Sequence, residues 1–298
     1  MKIRLYSPFG RNDLLIGDYY YSVSCAPTEA DAVLYEWSPG PIENSTAVRA
    51  WYCCEPLSTS LFRDPVWRAW LSQLTTAEYL YHSHPDDRCR VPHITCITDP
   101  ATRHWVTPTK GAVAVVSNTG GSPWRRSWDA RLRNRLITRP EVDLFGSRAV
   151  WSTFRATVLS RPRQPANYQG KLTGLWTNPS KLDLLADYRV AVCMENTVEP
   201  HYFTEKFVDA VRAGCVPVYQ AHPTVRTGPL KGARWVDPAD FRFDPAETLA
   251  FALAQDVNEY RLANGAWLDS PVARATFQPA VFARIGGILK DRAAGRLR

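Results

Sequence analysis

No stretch of this chain approaches the roughly 20 consecutive apolar residues that cross a bilayer. Its typical runs, Ala112–Val116 and Val190–Met194, are five residues long. The first residues, Met1–Pro8, lack the apolar segment of a secretory signal, so a soluble, cytoplasmic protein is expected. None of the seven cysteines stands in C-x-x-C spacing, which removes the usual zinc and dithiol signatures and leaves reduced, mostly buried thiols. Internal repeats and low-complexity tracts are missing too, which excludes a solenoid or a disordered chain. Acid is in short supply: 29 Asp and Glu against 36 Lys and Arg leave a net charge of +7. That surplus suits nucleic acid, an anionic membrane surface or a phosphorylated small molecule.

What is present is ordinary core-forming material, 45% apolar and 22% charged, in 298 residues. Two domains of common size fit that length. Short runs rich in β-branched and aromatic residues alternate with longer helical patterns, the α/β signature. Strands are expected at Lys2–Tyr6, Ala32–Trp37 and Val48–Cys53, then a helix capped by Asp64 with Pro65 at its first position and Trp67, Trp70, Leu71 and Leu74 inward. The turn-rich segment Asp99–Thr109 marks a boundary, giving domains 1–108 and 109–298, with the last helix, from about Pro279 to Ala294, packing back on the first. The second domain opens with strand Gly111–Ser117 and the loop Asn118–Pro123. A helix follows with Trp128, Leu132 and Leu136 on one face and Arg125, Arg126, Arg131, Arg133 and Arg135 elsewhere, then strand Val142–Phe145. After a helix from about Ser180 the unit repeats: strand Arg189–Met194, loop Glu195–Phe203, helix Thr204–Ala213, Gly214 as the stop and strand Val216–Tyr219. Asp244-Pro245 starts a further helix with Leu249, Leu253 and Val257 inward.

Two strand–loop–helix units in one parallel sheet place both loops at the carboxyl ends of their strands, where open α/β sheets bind ligands. Helix N-termini there offer N–H groups and partial positive charge. Each of the two helices also starts with a cation, Arg125 or Lys206. Two cations converging on one crevice call for an anion, and a nucleoside diphosphate fits. The plainer alternative is that they pair with carboxylates such as Asp129 and Glu199.

The second loop reads Met194-Glu195-Asn196-Thr197-Val198-Glu199-Pro200-His201-Tyr202-Phe203-Thr204-Glu205-Lys206, and its helix runs on to Ala213-Gly214-Cys215-Val216-Pro217-Val218. This resembles the signature of the α1,3/4-fucosyltransferases, glycosyltransferase family 10: E-N-[ST], a spacer, Y-x-T-E-K, then A-G-x-V-P-V. Tyr168-x-Gly170-Lys171, Lys181-x-x-x-Leu185-x-x-Tyr188-Arg189, and Ser117-Asn118 with Arg125, Trp128 and Leu132 are similar to the family as well. The resemblance is specific over about Val116–Phe243 and weak over the first third.

The resemblance implies two Rossmann-like domains facing each other across a cleft, the GT-B architecture. It implies an inverting, metal-independent transferase moving L-fucose from GDP-fucose to a hydroxyl of an N-acetylglucosamine- or glucose-containing glycan in an α1,3-type linkage. GDP-fucose is then a co-substrate, and neither a cofactor nor a metal is needed. Carried over by position, Arg125 and Lys206 would neutralise the diphosphate, Glu205 would accept hydrogen bonds from donor-sugar hydroxyls, and Asn196 and Tyr202 would hold the phosphates or nearby groups. Ser117 and Asn118 complete the donor side. Glu195 would line the same pocket or fix the loop through backbone N–H groups. A carboxylate must take the acceptor's proton; Glu55, at the end of strand Val48–Cys53, is the candidate base, with Glu36 and Glu43 as rivals. The family comparison also points to a bacterial, self-contained catalytic unit.

Two departures matter. Met194 stands where Phe is common, and Gln220-Ala221-His222-Pro223 follows Tyr219 where a Gly is usual, which keeps another GDP-sugar open as the donor. A different class of reading makes the Arg-rich helix 125–135 a nucleic-acid surface; no nucleic-acid motif accompanies it, and nucleic acid is not expected as a partner. His82, His84, Asp86 and Asp87 read as a polar loop rather than a metal site, and Trp51, Trp67, Trp70 and Trp105 as core or sugar-stacking rings. The basic tail, Lys290, Arg292, Arg296 and Arg298, reads as a solvated helix end, with weak peripheral contact with anionic lipid as the alternative.

Overall fold

A computed structural model describes residues 1–7, 11–37, 47–53, 65–73, 77–92, 101–116, 128–146, 165–172 and 179–296, without the side chains of 67, 71, 179 and 180. The chain divides into two compact units. Unit 1 comprises Met1–Thr98, Glu199–Tyr202 and Ala275–Arg298; unit 2 comprises Asp99–Val198 and Phe203–Arg274. Among the described residues no helix is long and apolar enough to cross a membrane.

Unit 1 is built on β1 (Lys2–Tyr6), β2 (Leu14–Ile16), β3 (Tyr19–Ser22), β4 (Ala32–Glu36), β5 (Val48–Cys53) and β6 (Glu78–Tyr81), with α1 at Pro65–Gln73. The sheet order is β2-β3-β1-β4-β5-β6, parallel except for the β2–β3 pair. In β1 the alternation of Lys, Ile, Arg, Leu and Tyr sends Ile3 and Leu5 inward, while β4 is buried along its whole length. The β2–β3 hairpin was not expected. It turns through Gly17-Asp18, with Gly17 at φ 55°, the left-handed backbone that a two-residue hairpin needs. Val281, Phe282, Ile285, Ile288 and Leu289 form the apolar stripe of the final helix and pack with Ile3, Leu5, Leu34 and Tyr52 in one core. Trp51 and Trp70 belong to a second core cluster with Val33 and Tyr35. At the basic end of the chain Arg292 pairs with Glu78 at 2.9 Å and Arg296 with Asp291 at 2.7 Å.

Unit 2 holds β7 (Lys110–Val116), β8 (Val142–Gly146), β9 (Tyr168–Gly170), β10 (Tyr188–Val192) and β11 (Val216–Val218) in the order β11-β10-β7-β8-β9, all parallel. The helices are α2 (Trp128–Ile137), α3 (Pro179–Ala186), α4 (Glu205–Arg212), α5 (Pro223–Thr227), α6 (Pro245–Ala254), α7 (Val257–Asp269) and α8 (Pro271–Arg274); α9, Gln278–Ala293, belongs to unit 1. Near-continuous apolar strands such as β10, buried on both faces, are the mark of a parallel sheet covered by helices. Pro217 is tolerated because β11 is an edge strand of the named sheet, where a missing N–H costs least. Val257 is buried as expected, but it opens α7 rather than continuing α6.

Two expectations about α2 change. Leu132 and Leu136 are buried, but Trp128 is 66% exposed and Arg133, only 2% exposed, goes inside instead. Arg133 lies one turn beyond Asp129 and one turn before Ile137, on a stripe that meets the loop after β10. Its guanidinium donates to Asn196 Oδ1 of that loop and to Asn134 Oδ1 of α2 itself, which makes burial affordable. Trp105 is a packing residue of unit 2: its indole N–H donates to the Val211 carbonyl at 3.1 Å and its ring lies over Gly214 and Gly265.

Candidate active site

The carboxyl ends of β7 and β10 are neighbours in the sheet. The segment after β7 lies outside the described residues, and with it Ser117, Asn118 and Arg125; Glu55 and Glu43 are outside them as well. The segment after β10 is described throughout. It leaves the buried Cys193 and Met194, passes Glu195 and Asn196, and enters α4 at Thr204.

Thr204 is the N-cap of α4: its backbone is extended and its hydroxyl accepts from the Lys206 N–H at 3.2 Å. Phe207, Val208, Ala210 and Val211 anchor the helix in the core, and Gly214 at φ 78° ends it. The same Thr204 donates its backbone N–H (2.9 Å) and its hydroxyl (2.7 Å) to Glu195 Oε1. Tyr219 Oη is 3.4 Å from that oxygen, and Glu195 Oε2 takes the Lys206 ammonium at 3.0 Å. Glu195 is therefore a buried knot, 3% exposed, that ties β10, the helix cap, the end of β11 and the lysine together. Both of its oxygens are engaged, and the Thr204 N–H is the kind of backbone donor expected of a loop-fixing carboxylate.

Lys206 keeps 23% of its side chain exposed. Its ammonium also donates to Thr204 Oγ1 at 3.1 Å and lies 3.8 Å from Glu205 Oε1. Burial works against the charge, but Glu195 and then Glu205 outweigh it and hold Lys206 above the ordinary lysine value; Arg133 pulls the other way. The carboxylate partners are thus Glu195 and Glu205, both different from the Glu199 pairing that spacing suggested. Asp129, the other partner considered, accepts the Val198 N–H at 2.9 Å.

A second buried pair lies one helical turn deeper, Lys181 of α3 with Asp209 of α4 at 2.7 Å. Burial opposes the Lys181 charge too, and Asp209 and Glu205 overcome it. Asn196 meets α2: Arg133 Nη1 donates to its Oδ1, while Nε and Nη2 reach Asn134 Oδ1 at 3.4 and 3.1 Å. Tyr202 falls in unit 1, 5% exposed, with its ring 4.9 Å from that of His82. His82, buried, lies 3.7 Å from Glu199, and its two ring nitrogens make no hydrogen bond. Its neighbours go elsewhere: Asp86 to Arg88, Asp87 to Arg90. Of the rival bases, Glu36 is fully buried and held by Arg11 through two contacts of 2.5 Å.

Of the described part of the predicted donor set, Glu195, Glu205 and Lys206 come together at one helix start, Asn196 is held by Arg133 of α2, and Tyr202 falls in unit 1. Sequence reasoning did not single out Arg133, which donates to Asn196 of this loop. The available signal was Asp129 and Arg133, four apart, on a helix that otherwise points leucines inward.

No protein-family model and no curated protein matches the chain. Solved structures do. An α1,3-fucosyltransferase crystallised with GDP aligns over 97% of this chain and 90% of its own at 18% identity, with a TM-score of 0.45. A UDP-forming α,α-trehalose-phosphate synthase from Burkholderia xenovorans aligns over 90% and 75% at 12% identity and 0.55. The E. coli trehalose-6-phosphate protein bound with UDP-2-fluoro glucose aligns over 89% and 74% at 11% identity and 0.53. The last two likenesses are of fold, mixed α/β with parallel sheets; those neighbours are GT-B glycosyltransferases.

Proposed function

We propose that this chain is an inverting glycosyltransferase that moves L-fucose from GDP-fucose to a hydroxyl of an N-acetylglucosamine- or glucose-containing glycan, in an α1,3-type linkage. One observation carries the reading. The segment Glu195–Lys206, which resembles the fucosyltransferase signature, runs from the carboxyl end of a central parallel strand into a capped helix start, with Lys206 fixed by a buried carboxylate. A lysine held at a helix N-terminus is suited to a pyrophosphate, because ammonium and backbone N–H groups address the same anion.

In this reading the acceptor oxygen attacks the anomeric carbon as the bond to the diphosphate oxygen breaks, and a base takes the acceptor proton. GDP leaves with the electron pair of the broken bond. Lys206 and Arg125 stabilise the negative charge growing on that leaving group. Glu205 and Asn196 address the donor, with Tyr202, Ser117 and Asn118, and Glu55 is the base. Glu195 acts by holding Lys206 and the cap of α4. Gln220 is the residue to vary if the donor is another GDP-sugar: it opens the stretch Gln220–Pro223, where a Gly is usual in the family, and its Oε1 is buried without a hydrogen bond.

Isothermal titration with GDP tests the reading. Wild-type protein binds, and Lys206→Ala weakens binding by at least roughly tenfold, the size of one lost charged hydrogen bond. Absence of binding by the wild type, or an unchanged affinity in Lys206→Ala, removes its basis. Glu55→Ala leaves GDP affinity intact and stops fucose transfer; loss of both makes Glu55 structural.

A further inference from the structure

We propose that Arg133 is a positioning residue of the nucleotide site: it holds Asn196 by its side-chain oxygen, so that the amide NH2 is the end presented to an acceptor oxygen of the bound nucleotide-sugar. The proposal rests on the donor-site reading above and concerns a residue outside the signature.

The chemistry of guanidinium fixes the orientation. Arginine has five donors and no acceptor, so whichever atom of the Asn196 amide it meets must be the oxygen. The contact runs from Nη1 to Oδ1. Asn134 Oδ1 accepts from Nε and Nη2 of the same guanidinium, which sets its plane. At 2% exposure Arg133 does not present itself to a ligand; it works through the half-buried Asn196. Asp129, one turn earlier on α2, accepts the Val198 N–H. One face of α2 therefore grips the loop after β10 at two points, an acid on the backbone of Val198 and a base on the side chain of Asn196. An amide turned this way offers donors only, and the ligand groups it fits are phosphate oxygens or sugar hydroxyls accepting a hydrogen bond. The Arg133 charge also opposes that of the Lys206 ammonium, weakly beside Glu195 and Glu205.

The test measures GDP affinity by titration, and melting temperature, for Asn196→Asp, Asn196→Ala, Arg133→Met, Arg133→Lys and the Arg133→Met/Asn196→Ala double variant. Asn196→Asp keeps an oxygen for Arg133, and the melting temperature stays at or above wild type. The lost NH2 and the added negative charge lower GDP affinity by roughly 10- to 100-fold. Arg133→Met weakens GDP binding, Arg133→Lys restores most of it, and the double variant is no worse than Asn196→Ala, because the arginine acts through the asparagine. A folded Asn196→Asp protein with wild-type affinity overturns the proposal, as do fully additive losses in the double variant. Should Asn196→Asp fail to fold, the Met-against-Lys contrast at Arg133 decides: equal affinities overturn it. Wild-type protein that binds no GDP removes the donor-site reading itself, an outcome distinct from these.

Discussion

Each unit buries a glutamate at the carboxyl end of a parallel strand, and the two are used differently. Glu36, the last residue of β4, is fully buried, and Arg11 closes on it with two hydrogen bonds of 2.5 Å. Glu195, three residues beyond β10, divides its oxygens among the Thr204 backbone and hydroxyl, the Tyr219 hydroxyl and the Lys206 ammonium. An arginine fork matches a carboxylate edge to edge and completes it. A lysine is a point charge with three donors. Two of those donors serve Glu195 and Thr204, so an anion at the helix start can take the third. Similar parallel sheets thus carry a closed ion pair in unit 1 and an open one in unit 2, and chemistry follows the site rather than the sheet.

Glu195→Ala attacks the contrast hardest. It strands the Lys206 charge and the Thr204 donors, and a broken buried pair costs about 3–5 kcal/mol. Thermal melting should show that loss, and titration should show GDP binding abolished. Glu36→Gln keeps an acceptor for Arg11 and should cost about 1–3 kcal/mol, with GDP affinity unchanged. If Glu36→Gln impaired GDP binding as strongly as Glu195→Ala, the division of labour between the two carboxylates would fail. Thr204→Ala removes the cap and one partner of Glu195; about 1–2 kcal/mol of stability should go, accompanied by weaker GDP binding because Lys206 loses a hydroxyl.

The smallest effect is one of pH. Burial pushes the Cys215 thiol up to about 12 from its ordinary value of 9.0. In the unfolded chain that thiol ionises from about pH 9, while in the folded protein it stays protonated to about 12. The unfolded state therefore binds fewer protons in that window, and stability falls as pH rises through it. Below pH 9 the thiol contributes no pH dependence. Melting curves between pH 9 and 11 should fall more steeply for wild type than for Cys215→Ala, and a thiol reagent at pH 8 should leave Cys215 unlabelled in the native protein.

Much of unit 2 was legible because its elements announce themselves locally. Asp244-Pro245 caps α6, Gly214 stops α4, and β-branched runs mark the strands. The hairpin β2–β3 carried a signal too, Gly17-Asp18 between apolar-aromatic runs, but its strands are only three and four residues long. At the site, the motif around Lys206 could be picked out by spacing, whereas its partner could not. Glu199 and Glu195 are both near in sequence; only the strand-to-helix geometry brings Glu195 to 3.0 Å. Trp128 and Arg133 show the same limit: a helical wheel buries the tryptophan, whereas Asn196 of the loop after β10, with Asn134 of α2, supplies the oxygens that bury the arginine instead.

The sequence by itself determined what depends on neighbours along the chain: strand and helix positions, the cap at Thr204, the glycine turns, and a loop rich in charge at the end of a parallel strand. Tertiary structure alone decided which charges were desolvated together, Glu195 with Lys206, Lys181 with Asp209, Arg133 with Asn196. The reason is physical. Backbone preferences act over a few residues, but a buried charge is tolerated only where a partner from another element arrives within hydrogen-bond distance, and that arrival is set by packing.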